Sequence, residues 1–285
     1  MTARVALATS AEALELGIDE DALLLQALAA LDVLAELARW DDPAVAWASY
    51  DLVVVRSTWD YTWRLADYLA WAASVPRLAN PLPVLRWNTD KTYLRDLRAA
   101  GVPVVPTTFV APGQAYDPPA GEVVVKPTVS AGARDTQRFA DARDGAALVA
   151  RLHAEGRTAM VQPYVAEIDD AGETSVVLVD GAVSHGARKR PLLLDGVAEE
   201  QWWLDAMSPR EPTAEEVAVA HAAVAAVPGD EVPLYARVDL VPGPDGPRLM
   251  ELELTEPSLS LELAPGSPDV LARAVRSRAA AARPR

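Results

Sequence analysis

The chain has 285 residues, about half of them hydrophobic, with 24% charged residues, no cysteine and a formal net charge of −15. This is globular composition with room for one large or a few small cores. It excludes disulfides, thiol nucleophiles, iron–sulfur clusters and cysteine-type zinc sites, and the acidic balance argues against a nucleic-acid or anionic-membrane partner.

The amino terminus has one Arg followed by acids, unlike a signal peptide, and no run is long enough for a membrane span, so a cytoplasmic protein is expected. RVALAT (4–9) reads as a buried strand, and residues 18–40 have the helical spacing of Leu and Ala. LVVV (52–55) is a second strand that ends in the polar, aromatic loop RSTWDY, before a helix over RLADYLAWAASV. Strand, helix, strand, helix predicts a small parallel sheet over residues 1–87, an amino-terminal α/β unit. A helix follows from Asp90 to Ala100, capped by Thr89 or Asn88 and stopped at Gly101. GEVVVKP, the loop TVSAGAR, a further strand, a helix over DARDGAALVARLHAEG and the strand TAMVQPYV complete a second unit, 88–165. The third, 166–285, opens on a hairpin turning at Asp180 and Gly181. Thr213 and Glu216 have capping-box spacing before a helix. LYARVDLV and RLMELEL form a last hairpin, and an Arg/Ala-rich tail reads as a frayed surface helix. The segment LLLDGVAEEQWW, within residues 192–210, has no motif and reads as a loop that covers substrate.

The last hairpin carries the first chemical signal. Arg237 and Asp239 share one strand face, and so do Glu251 and Glu253. A register that sets Asp239 opposite Glu251 also sets Arg237 opposite Glu253, and three carboxylates then share one patch. At ~5 Å and an effective dielectric of about 20, each carboxylate pair repels by roughly 3 kcal/mol. One Arg offsets one acid, and a hard divalent cation such as magnesium fits the remainder better than a solvated face flanked by Leu and Val.

Only three of the 26 basic residues are lysines: Lys91, Lys126 and Lys189. Lys126 ends an apolar strand beside a small, Gly-containing loop whose backbone could approach phosphates; an ordinary turn is the plain alternative. Lys91 falls in a first helical turn, where the dipole disfavours cations; pairing with Asp90 is equally open. Lys189 lies in a basic cluster, ARKRP, that reads either as an anion clamp or as a solvated hairpin end. Arg56, Ser57, Trp59 and Asp60 lie at the carboxyl end of a strand, where small ligands bind in open α/β sheets. A helix cap with Trp59 in the core competes with that reading.

In order and content, NTDK, VVVKP with SAG, VQPYV, GETSVVL, YARVDL and LMELELTEP resemble the ATP-grasp superfamily of carboxylate-activating ligases. With RSTWDY added, the chain is most similar to the branch containing the cyclo-ligase of cycloserine biosynthesis. The resemblance implies an α/β and α+β ATP-grasp fold of three subdomains, with ATP held between two α+β units. It implies that Lys91 and Lys126 hold phosphates and that Ser130, Ala131 and Gly132 form the loop over them. Gln162, Tyr164 and Val165 match the hinge that meets adenine, and Glu173, or else Glu167, the acid for the ribose. Lys189 resembles a further phosphate-contacting lysine. Asp239, Glu251 and Glu253 match ligands of magnesium, two ions in number, although many members carry Asn where Glu253 stands; Arg237 matches the arginine that steadies the acyl oxygen. Arg56, Ser57, Trp59 and Asp60 remain candidates for a small amino-acid-like substrate. The expected activity is ATP-dependent C–N bond formation through an acyl phosphate, as ring closure or as dipeptide synthesis. A non-catalytic ATP-binding module is the rival, and the analogy to dimeric relatives leaves a homodimer open. A dinucleotide oxidoreductase lacks its Gly-rich first turn here.

Overall fold

The computed structural model describes residues 2–191, 193 and 207–281. Apart from residue 193, LLLDGVAEEQWW lies outside the described residues. The amino-terminal sheet is parallel, in the order β2-β1-β3-β4: β1 (Ala3–Thr9), β2 (Val33–Arg39), β3 (Leu52–Val55) and β4 (Leu78–Ala79). Its helices are α1 (Ala11–Leu16), α2 (Asp19–Ala29) and α3 (Leu65–Ser74). The single helix expected over 18–40 is corrected here. α2 ends at Ala29, the chain turns at Asp32 with a positive φ, and VLAELAR becomes β2. These residues favour helix by propensity, but seven of them pair in register with β1, from Ala3↔Val33 to Thr9↔Arg39. Tertiary pairing outweighs a propensity worth tenths of a kcal/mol per residue.

The helix expected over 90–100 is the shorter α5 (Tyr93–Ala99), and a separate helix, α4 (Leu82–Asn88), precedes it, with residues 89–92 between them. Neither Asn88 nor Thr89 caps α5; the Asn88 amide instead donates to Leu252 O at 2.7 Å and accepts from Leu254 N at 2.8 Å. The second sheet is antiparallel in the order β5-β8-β6-β7: β5 (Thr108–Val110), β6 (Val123–Pro127), β7 (Gln137–Phe139) and β8 (Ala159–Pro163). Its core of Val110, Val123, Val125 and Val161 is closed by Leu148, Val149 and Leu152 of α6 (Ala146–Ala154).

After α7 (Ile168–Ala171), the third sheet runs β11-β10-β9-β12-β13: β9 (Glu173–Val179), β10 (Ala182–Lys189), β11 (Met207–Pro209), β12 (Tyr235–Val241) and β13 (Arg248–Glu253). Asp180 and Gly181 both take positive φ, as a two-residue hairpin turn requires. α8 (Ala214–Ala225) carries the expected capping box, with Glu216 N donating to Thr213 Oγ1 and Thr213 N donating to Glu216 Oε2. The carboxyl-terminal helix α9 (Ser267–Ala281) is not the frayed surface element its composition suggested. Leu271, Ala272, Val275 and Ala279 form a stripe at helical spacing, packed in one core with Leu7, Leu24 and Leu28.

Buried side chains tie the sheets together at the end of β13. Asn80 Nδ2 donates to Tyr235 O and Leu254 O, and its Oδ1 accepts from Leu234 N at 2.7 Å. The Tyr235 hydroxyl bonds Val55 O and Thr255 O. No helix among the described residues is long and apolar enough to cross a membrane.

Candidate active site

β12 alternates across 237–240 and β13 across 251–253. Val238, Leu240 and Leu252 enter the core, and Arg237, Asp239, Glu251 and Glu253 face the other way. The pairing is Arg237↔Glu253 and Asp239↔Glu251, with a register shift just after Asp239. The hairpin therefore brings together the four groups that the sequence pattern placed on one face.

Basic groups from other elements close over them. Lys91, in the turn between α4 and α5 and not in a first helical turn, is fixed by its N–H donating to Thr128 O at 2.8 Å. Its Nζ reaches Glu251 at 3.0 Å and donates to Ser130 O at 2.6 Å. Lys126, in β6, reaches the other Glu251 oxygen at 3.6 Å. Arg237 donates twice to Asp239, both at 2.9 Å, and also to Glu253 and to Ser258 O. Ser175 donates to Asp239 at 2.7 Å. Lys189 pairs with Glu173 at 3.4 Å across the β9–β10 ladder.

Burial raises the carboxyls here, and neighbouring charge decides which ones recover. For Glu251 burial is outweighed by Lys91, Lys126 and Lys189, and its carboxyl falls to about 2. Asp239 is likewise lowered, against burial, by Arg237 and Lys189. Glu253 stays up at about 7: burial dominates, Arg237 counters, and Glu251 and Asp239 push it further. Glu256, three residues on, rises to about 8 through burial and then Glu253. Burial lowers Lys126, whereas Glu173 and Asp239 overcome it at Lys189, which is raised.

Glu256 provides a direct check. Raised above its unfolded value, it binds a proton in the folded chain that the unfolded chain releases above pH 4.5, so the stability it contributes is lost as pH rises through 8. Glu256→Gln should stabilise the unliganded protein by roughly 1 kcal/mol or more at pH 9 and by only a fraction of that at pH 5.5, where the loss has just begun. Urea unfolding at the two pH values measures this; an equal effect at both would contradict it.

The remaining sequence candidates separate. The SAG loop lies beside Lys91, with Ser130 buried and Gly132 at φ +61. Arg134 beyond it stacks on Trp63 and pairs with Glu12 of α1 at 2.8 Å, so the loop contacts the amino-terminal unit. Gln162 turns its amide to Thr107, Tyr164 N–H donates to Glu122 O, and Val165 packs with Val105, Ile168 and Met250. Glu167 is exposed at the start of α7. Three of the four members of the RSTWDY group are already engaged within the protein. Arg56 is buried against Glu20 and Asp21, Ser57 bonds Asp21 at 2.6 Å, and Asp60 accepts from Trp40 Nε1 at 2.8 Å. These groups hold the protein's own partners; only Trp59, half-buried, is without such an engagement of its ring. The acids of α2 that claim Arg56 sit far away in sequence, which is why the motif looked free. Glu256 was missed because strand periodicity stops at Glu253, although it belongs to the same LMELELTEP stretch.

Among the described residues no three carboxylates stand ready around an ion, because each of Asp239, Glu251 and Glu253 already has a cation. The donor set still fits magnesium: Asp239, Glu251 and Glu253 place hard oxygens on one face, and burial with like charge holds the Glu253 carboxyl up at about 7 despite Arg237, a bias that a divalent cation would offset.

Residues 5–81 match the family model for the N-terminal domain of D-cycloserine synthetase DcsG. Over 276 residues the chain is 41% identical to the cycloserine biosynthesis protein DcsG of Streptomyces lavendulae, covering 90% of this chain and 92% of that one. The crystal structure of D-cycloserine synthetase DcsG superposes with a TM-score of 0.89 at 39% identity, over 97% of this chain and 99% of that one. D-alanine–D-alanine ligase from Bacillus anthracis, solved with ATP, shares the fold at a TM-score of 0.70 and 14% identity, over 99% of this chain and 98% of that one.

Proposed function

The chain belongs to the DcsG family of ATP-grasp ligases, and from that membership we propose that it closes the ring of cycloserine from a serine-like amino acid. It is an ATP-dependent carboxylate–amine ligase, and the non-catalytic module is set aside. Cycloserine is a five-membered ring in which the carboxyl carbon of a serine unit is joined to a nitrogen borne on its own side-chain oxygen, and the α-amine is left free. Ring closure therefore needs one acid and one nitrogen in the same molecule.

The observation that carries this reading is the convergence of Lys91, Lys126 and Arg237, from separate elements, on Glu251, Asp239 and Glu253. In it Lys91, Lys126 and the Ser130–Gly132 loop bind phosphate oxygens of ATP, with Lys189 as a further contact. The hinge Gln162, Tyr164 and Val165 takes adenine, and Glu173 takes the ribose. Asp239, Glu251 and Glu253 would hold magnesium, with capacity for two ions, and the metal spreads charge from the phosphates when bound. The substrate carboxylate attacks the γ-phosphorus and ADP leaves. The nitrogen then attacks the acyl phosphate, phosphate leaves, and the nitrogen loses a proton. Arg237 faces the oxyanion of that second step, and the Lys126 unit keeps water from the acyl phosphate.

ADP release from Mg·ATP should require a serine-like acid whose side-chain oxygen carries nitrogen, with the ring product identified by mass. A dipeptide as sole product would replace ring closure by intermolecular ligation; ADP release indifferent to every acid would overturn both.

A further inference from the structure

Glu256 follows the end of β13, and its backbone is pinned on both sides. Thr255 O accepts from the Tyr235 hydroxyl at 2.8 Å, and Thr255 Oγ1 donates to Asn88 at 3.2 Å. Pro257 O accepts from Arg56 at 3.3 Å and Ser258 O from Arg237 at 3.0 Å. Every other acid of the cleft, Glu173, Asp239, Glu251 and Glu253, has a cation within 3.6 Å. The Glu256 carboxylate, only partly accessible, has no hydrogen bond or ion pair among the described residues. The charges of Glu253, Lys91, Glu251 and Arg237 all act on it, and its own charge acts on Tyr61 in the loop after β3, on Tyr68 and on Tyr235. A segment pinned by four hydrogen bonds thus carries a carboxylate with no protein partner among the described residues, two positions from the carbonyl that Arg237 bonds.

We propose that Glu256 is a specificity-determining residue that receives the α-ammonium group of the substrate while Arg237 faces its carboxylate. This rests on the cyclo-ligase reading above. In an α-amino acid the ammonium and carboxylate are one carbon apart, so a site that activates the acid beside Arg237 must meet the ammonium within a few ångströms. Arg237 bonds the same 255–258 segment, which sets that spacing. A further consequence is chemoselectivity. An ammonium paired with Glu256 keeps its proton and has no lone pair to attack the acyl phosphate, so the nucleophile is the other nitrogen, which is neutral, and the α-amine survives into product.

The test uses two rings as probes: cycloserine, which carries the amine, and isoxazolidin-3-one, the same ring without it. Each is titrated calorimetrically into the full chain with Mg·ADP present. Wild type should bind cycloserine at least about tenfold more tightly, as expected for one charge-assisted pair. Glu256→Gln should abolish that preference, change affinity for the amine-less ring less than about twofold, and leave Mg·ADP affinity unchanged. Glu256→Asp, which withdraws the carboxylate by one carbon, should fall between and stands in where the Gln variant does not fold. A preference that persists in the variants overturns the assignment of Glu256 and leaves the cyclo-ligase reading intact, as does wild type binding both rings equally. Wild type that binds Mg·ADP but neither ring overturns the cyclo-ligase reading and this inference with it.

Discussion

Glu251→Gln should lower acid-dependent ADP formation by about 10³-fold while the protein stays folded. Glu251 alone among the cleft acids spans two lysines from different elements, Lys91 at 3.0 Å and Lys126 at 3.6 Å. Its amide would neither offset those ammonium groups nor hold a magnesium ion, and preorganised electrostatics of this kind are worth 10²–10³ per group in related chemistry. The stability cost should stay under about 2 kcal/mol, because the side chain is 20% exposed on the cleft and water reaches the two lysines once the carboxylate is gone. Steady-state ADP release, nucleotide affinity and urea unfolding together decide the matter. Lost turnover with nucleotide binding retained is the expected pattern. Lost folding with a near-normal turnover in the surviving fraction would make Glu251 a structural bridge.

Much of this site was legible because strand geometry is simple. A period of two puts Arg237 with Asp239 and Glu251 with Glu253, and the register that brings them together is the one in the structure. The scarcity of lysine also carried information: Lys91 and Lys126 pair with Glu251, and Lys189, paired with Glu173, acts on Glu251 as well. What could not be read depends on distant partners. VLAELAR becomes a strand only because β1 offers seven paired positions, and α9 is buried only because α2 supplies Leu24 and Leu28. Arg56 looked like a ligand fork because nothing local claims it; its partners Glu20 and Asp21 lie some thirty-five residues earlier on another helix. Local pattern reveals which groups share a face, but not whether a second element has already satisfied them.

Arg56→Ala should destabilise the fold by about 3–5 kcal/mol, the cost of stripping the partner from a sealed ion pair. Arg56, Glu20 and Asp21 have side chains only 3%, 6% and 3% exposed, so water cannot replace the guanidinium as it can at Glu251. The same side chain also donates to Pro257 O and lies over the Tyr235 ring, so its loss loosens the strap that carries Glu256. Burial already raises Glu20 with Arg56 in place. Without it Glu20 rises further, and a group raised in the folded state contributes its stability at low pH and loses it as pH rises. The variant should therefore be more severely impaired at pH 8 than at pH 5.5, by urea unfolding at both. A substrate fork behaves otherwise: an increase in KM of about 10²-fold for the acid, with unfolding unchanged at either pH, would restore Arg56 to the binding site and remove it from the scaffold.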